Sequence, residues 1–168
     1  MILTVHPNRH AEWNGRAMKC AVGRSGFSTI KREGDGATPI GVFPLREVFF
    51  RADRLAEPRT ALPCRSLTEL DGWCDDPADP QYNRLITRPY AASHECMMRD
   101  DALYDLVVVL GYNDDPVVTG LGSAIFLHVA GPAYAATEGC VALALADLRQ
   151  IVAEMRPDDK IDIRPEYA

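Results

Sequence analysis

The sequence predicts a mainly β fold in a single domain, residues 1–168, with one helix in the C-terminal half and a long excursion around residues 54–100. Three observations carry that prediction. Runs of β-branched and apolar residues recur along the chain, an Asn-Gly turn joins two short polar-apolar segments, and a single apolar stripe with helical spacing lies near the end. A chain of 168 residues supports one hydrophobic core and is short for two. There is no internal repeat, low-complexity tract or linker. The composition, 47% hydrophobic and 25% charged, is that of an ordinary globular protein.

The elements follow in order. Asn14 and Gly15 both tolerate positive φ, which marks a hairpin turn, and Arg16 to Val22 is the strand that leaves it. Glycines at 23, 26, 34, 36 and 41 punctuate the next stretch. Gly41 to Phe50 reads as a strand, with Pro44 at an edge or bulge because proline has no N–H to give. Arg54 to Gln81, with four prolines and the acids Asp75, Asp76 and Asp79, reads as a loop over the surface; such long loops are often lids or binding loops. Tyr104 to Leu110 and Ser123 to Val129 are apolar runs expected as buried strands. Leu148, Ile151, Val152 and Met155 recur at i, i+3, i+4 and i+7, which predicts a helix over 145–156. Lys160 to Arg164 alternates and predicts a final strand.

A formal net charge of −6 argues against nucleic acid as the main partner, since phosphate binding calls for a basic surface. No stretch reaches the roughly 18 apolar residues that span a bilayer, so no membrane partner is expected. The first residues, Met1 to Pro7, lack a charged leader and an apolar segment of signal length. The expected compartment is the cytoplasm, or the periplasm if a leader has been removed. Five cysteines, an odd number without a C-x-x-C spacing, are expected as thiols. Composition does not set the oligomeric state.

Three features compete for the chemistry. His128 ends a buried strand, and Cys140 follows twelve positions later in Thr137-Glu138-Gly139-Cys140-Val141, between a Gly-Pro loop and the helix. A neighbouring base and a helix N-terminus both activate a thiol, and amides around Gly139 can bind an oxyanion. The bland alternative is a buried small hydrophobe and a satisfied strand-end histidine. His94-Glu95-Cys96 with Cys64 and Cys74 offers zinc-type ligands without paired short spacing, and Met98 rules out H-E-x-x-H. Asp75, Asp76 and Asp79 lack the glycine and closing glutamate of a calcium loop and read as turn formers. No cofactor is expected.

Ile125-Phe126-Leu127-His128, the Gly-Pro loop and Thr137-Glu138-Gly139-Cys140-Val141-Ala142-Leu143 together resemble the signature of the L,D-transpeptidase (YkuD) catalytic domain. Gly36-Ala37-Thr38-Pro39-Ile40-Gly41-Val42-Phe43 is similar to that family's Thr-Pro-x-Gly-x-Phe strand entry, and Gly120 to Phe126 to its approach to the histidine strand. The resemblance implies an L,D-transpeptidase-like β-sandwich with Cys140 as nucleophile, His128 as base and later acid, and Gly139 in the oxyanion turn. It implies cleavage of the meso-diaminopimelate–D-alanine bond of peptidoglycan stem tetrapeptides through a thioester. The sequence departs from the family pattern in having Glu138 before Gly139, Val141-Ala142-Leu143 after the cysteine, and a short histidine-to-cysteine loop. The first two changes remove positive charge beside the nucleophile. Arg84, Arg88 and His94 are then candidates to meet substrate carboxylates, with Tyr82 and Glu138 also counted as substrate-binding. Without a leader, the expected reaction is an L,D-carboxypeptidase step in murein recycling. The competing readings are a cross-linking L,D-transpeptidase and a non-catalytic module that holds muropeptides or zinc.

Overall fold

Positive φ at Asn14 (49°) and Gly15 (75°) closes the hairpin between β2 (His10–Trp13) and β3 (Arg16–Ala21), as the Asn-Gly pair predicts. In the computed structural model, which describes residues 1–164, this hairpin is one side of a larger closed sheet. β1 (Ile2–His6) precedes it, and one short parallel pair, β4 (Phe27–Ser28) with β5 (Thr38–Pro39), follows. The ten-residue β6 (Gly41–Phe50) comes next, then β7 (Cys64–Ser66), β8 (Asp71–Cys74), β9 (Leu85–Thr87) and β10 (His94–Cys96). The C-terminal half contributes β11 (Leu106–Leu110), β12 (Phe126–Val129), β13 (Val141–Leu143), α1 (Leu145–Glu154) and β14 (Lys160–Ile163).

The main sheet runs β11-β12-β13-β3-β2-β1-β14-β6, and β6 pairs back with β11. The fold is therefore mainly β with one C-terminal helix, and its layers join into an eight-stranded mixed barrel. β6 makes the closure because it is long. Gly41 to Pro44 pair with β14, while Leu45 and Val48 to Phe50 pair with β11. Pro44 stands beside a register shift in the β6–β11 ladder, the irregular position that its missing N–H favours.

Period-two alternation assigns each face. Along β11, Leu106, Val108 and Leu110 enter the barrel core, while Val107 and Val109 enter a second cluster outside it. Along β12, Leu127 and Val129 face the barrel and Phe126 faces the outer cluster. α1 buries Leu148, Ile151 and Val152 in the barrel core, the stripe that its spacing predicts. Each fully buried aliphatic side chain contributes about 1.5–3 kcal/mol.

The excursion differs from a plain surface loop. β10-β8-β9 forms a three-stranded antiparallel sheet, and Trp73 and Met97 from this region pack into the outer cluster. Trp73 meets Phe126 edge-on at 5.0 Å between ring centroids, so the excursion roofs the outer face of β12. β12 also begins later than the apolar run suggests, because positive φ at Gly122 (102°) and Ala124 (52°) interrupts extended backbone. Cys140 leads into β13, and α1 starts only at Leu145, so no helix N-terminus acts on this thiol.

Candidate functional site

Alternation along β12 places His128 on the same outer face as Phe126, under the excursion. The ring is buried, and its Nδ1 lies 2.8 Å from the carbonyl oxygen of Val129. A carbonyl only accepts, so Nδ1 carries the proton and Nε2 keeps its lone pair. Tyr104 meets the imidazole edge-on at 5.4 Å. Burial pushes the His128 pKa down to about 4, against the opposing pull of the Val129 carbonyl.

β13 runs parallel to β12 with Val141 opposite Leu127, which sets Cys140 alongside the start of β12. The sulfur accepts the Phe126 N–H at 3.3 Å, and the thiol donates to the Ala124 carbonyl at 3.2 Å. Burial pushes its pKa up to about 12; Glu95 pushes the same way, while the Phe126 N–H, Lys31 and Arg99 pull it down. The pair at rest is a neutral thiol and a neutral imidazole.

The turn before Cys140 is held from two sides. Thr137 Oγ1 donates to the Cys140 carbonyl at 2.6 Å and accepts the Gly139 N–H at 3.2 Å. Gly139 has φ of +136°, and a Cβ there would stand 2.8 Å from the Ala37 carbonyl oxygen. Gly23 donates to Thr38 Oγ1 at 2.8 Å and bridges Thr137. The Thr-Pro strand entry and the Gly-Cys turn, far apart in sequence, thus form one joint.

His128 and Cys140 line the same hollow of about 670 Å³. Its wall carries more carboxylates than cations: Glu33, Asp75, Glu95, Asp101 and Glu138 against Lys31 and Arg99. Glu95 accepts from the Tyr104 hydroxyl at 2.7 Å, and burial raises its pKa, with Asp75 and Glu33 adding to the shift. Arg99 forks onto Asp101 at 2.7 and 2.9 Å and lies over the Tyr104 ring. Glu33 accepts from the Ser123 hydroxyl at 2.7 Å and from Tyr82.

Of the residues named as substrate-binding from sequence, Glu138 lines the hollow, where Arg24 holds it at 2.9 and 3.0 Å. Tyr82 stands behind the wall, donating to Glu33 and accepting from the Gly122 N–H at 3.0 Å. Arg84 is exposed and not part of the lining. His94 is also outside it, its Nδ1 2.8 Å from the Ala92 carbonyl. Arg88 donates to the Glu69 carbonyl at 3.0 Å and lines a separate, smaller hollow. Sequence reasoning missed Lys31, Glu33, Arg99, Tyr104 and Ser123. Lys31 and Glu33 sit in a charged, glycine-rich stretch that reads as solvated loop, and nothing local marks a lysine that is only 6% exposed. Among the described residues no group of three His, Cys, Asp or Glu is placed to hold a metal ion, and all five cysteines are free.

The family model of the L,D-transpeptidase catalytic domain, YkuD, matches residues 3–163. No curated protein is significantly similar to the chain. Among solved structures, the helical cell shape determining protein Pgp2 from Campylobacter jejuni aligns with a TM-score of 0.49 and 16% identity, over 99% of this chain and 48% of that one. A lysine-to-alanine mutant of the same protein aligns with a TM-score of 0.47 and 16% identity, over 99% of this chain and 47% of that one. The chain spans about half the length of these structures. The family match takes in both halves of the joint that holds the Cys140 turn, and by it the chain belongs to the YkuD family of L,D-transpeptidase catalytic domains.

Proposed function

We propose that the chain is an L,D-carboxypeptidase of peptidoglycan stem tetrapeptides, with Cys140 as nucleophile and His128 as base and then acid. Membership of the family implies a cysteine enzyme of L,D-transpeptidase type acting on stem peptides. The observation that supports the finer reading is that Cys140 and His128, whose Nδ1 lies on the Val129 carbonyl, line one hollow.

The thiol leaves its hydrogen bond to the Ala124 carbonyl, and Nε2 of His128 takes its proton as the sulfur attacks the carbonyl at the L-centre of diaminopimelate. The Phe126 N–H, already on the sulfur, stabilises the charge that develops there. Amides of the Gly139–Cys140 turn receive the oxyanion, Gly139 exchanging its bond to Thr137 Oγ1 for the substrate; each such donor lowers a barrier by about 2.7–4 kcal/mol. The C–N bond breaks, the imidazolium protonates the departing D-alanine amine, and a thioester remains. Water then attacks the thioester as His128 accepts its proton, the C–S bond breaks to release the tripeptide acid, and the imidazolium returns the proton to sulfur so that the thiol re-forms.

Water is the proposed acceptor, and the amine of a second stem peptide is the competing one. Incubation with a disaccharide tetrapeptide and mass analysis of the products tests this. Tripeptide plus free D-alanine is the expected result. Dimers or exchange of the terminal D-amino acid indicate the transpeptidase, and unchanged tetrapeptide counts against both.

A further inference from the structure

The hollow has a buried cation beside the turn that carries Cys140. Lys31 is 6% exposed and lines the hollow with Cys140 and His128. Its Nζ lies 3.5 Å from where a Cβ on Gly139 would stand, next to the residue that precedes Cys140. The side chain has little freedom to move away, because its stem packs on Gly122, whose Cβ would meet Lys31 Cε at 2.9 Å. Nζ donates to Asp35 Oδ1 at 2.7 Å and to the Arg32 carbonyl at 3.4 Å. Asp35 is itself fixed, accepting from the amides of Arg32 and Ala37 at 2.8 and 2.9 Å. An ammonium has three N–H donors, so one is left to serve the hollow.

We propose that Lys31 determines specificity by binding the free C-terminal carboxylate of the departing residue, so that the enzyme cleaves only the last peptide bond of a stem. This deepens the reading of the chain as a carboxypeptidase and rests on it. A carboxylate entering the hollow meets Glu33, Asp75 and Glu95 on the wall, which repel it, and must be matched by a cation to leave water. Arg99, the other lining cation, already spends its fork on Asp101 and its face on Tyr104. The carboxylate of the leaving residue lies a few bonds from the scissile carbonyl, and Lys31 lies one residue from the attacking sulfur. Hydrogen bonds of a charged pair carry both affinity and orientation there.

The test compares a tetrapeptide with a free C-terminal carboxylate and the same peptide as its C-terminal amide. Turnover and, on a Cys140→Ser protein, calorimetric binding are both measured, each with Lys31 intact and as Lys31→Met or Lys31→Arg. With Lys31 intact the acid is expected to be preferred roughly a hundredfold. Lys31→Met removes most of that preference, read as the ratio of acid to amide, and Lys31→Arg restores part of it. A general loss of folding or of the nucleophile's reactivity lowers acid and amide together and does not move their ratio. An acid preference that survives Lys31→Met, or that is missing with Lys31 intact, overturns the proposal while leaving the carboxypeptidase reading in place if tripeptide still forms. Binding of the acid without turnover overturns the carboxypeptidase reading, and the binding ratio still decides for or against Lys31. Binding of neither peptide overturns both.

Discussion

The Cys140 thiol donates to a backbone carbonyl rather than to the imidazole, and both groups of the pair rest uncharged. This contrasts with the ion pair that a thiol beside an exposed histidine or a helix N-terminus adopts. On the proposed mechanism the charge separation is created with substrate in place, where the Phe126 N–H acts on it. A pH dependence of stability follows from the same burial. His128 titrates near 6.5 when unfolded and at about 4 when folded, so between those values the unfolded chain binds more protons. Its contribution to stability is complete above 6.5 and is lost as pH falls through about 4. Urea unfolding across that window should show stability dropping with pH more steeply in the wild type than in His128→Asn. Parallel curves for the two proteins mean that the ring is solvated and the site open.

At the level of elements, the roof over β12 is tied to the site by one side chain. Asn83, in the left-handed region with φ of 55°, accepts from Trp73 Nε1 and from the Ala124 N–H, both at 3.0 Å. Its amide nitrogen donates to the carbonyls of Tyr112 and Asn113 at 3.0 and 2.8 Å. Ala124 in turn offers the carbonyl that holds the Cys140 thiol. Asn83→Ala leaves two buried donors unpaired and should cost at least ~2 kcal/mol in denaturant unfolding. It should also speed alkylation of Cys140 by iodoacetamide, with Asn83→Asp, which keeps the acceptor, falling between. Unchanged stability and alkylation would show that the excursion does not support the thiol. None of this was legible in the sequence. β8, β9 and β10 are three or four residues long, too short for alternation to emerge from their Pro- and Asp-rich surroundings. β6, β11 and α1 were legible because each is long enough to show its period, and the Asn-Gly turn because its residues tolerate the required φ.

For the molecule as a whole, the closed barrel matters because it fixes one face of β12 in the core and turns the other toward the hollow. Its eight strands close through β6, and the excursion between β6 and β11 covers the outer face where His128 stands. His128 and Cys140 were legible as candidates through the motif, since a strand-end histidine and a Gly-Cys turn are local signals, and both line the hollow. The charged lining was not, because Lys31, Glu33, Glu95 and Arg99 come from separate segments that only the closed fold assembles. Placing the Cys140 thiol before the helix also failed, because the three-residue β13 is too short to read. The central claim is that this assembly makes Cys140 an acyl carrier. Rapid quenching of the protein with tetrapeptide, followed by intact-mass and peptide mapping, tests it most directly. The expected result is an adduct equal to the tetrapeptide less D-alanine, on the peptide containing Cys140, and neither adduct nor turnover in Cys140→Ser. Release of D-alanine by Cys140→Ser, or an adduct on another residue, would contradict it.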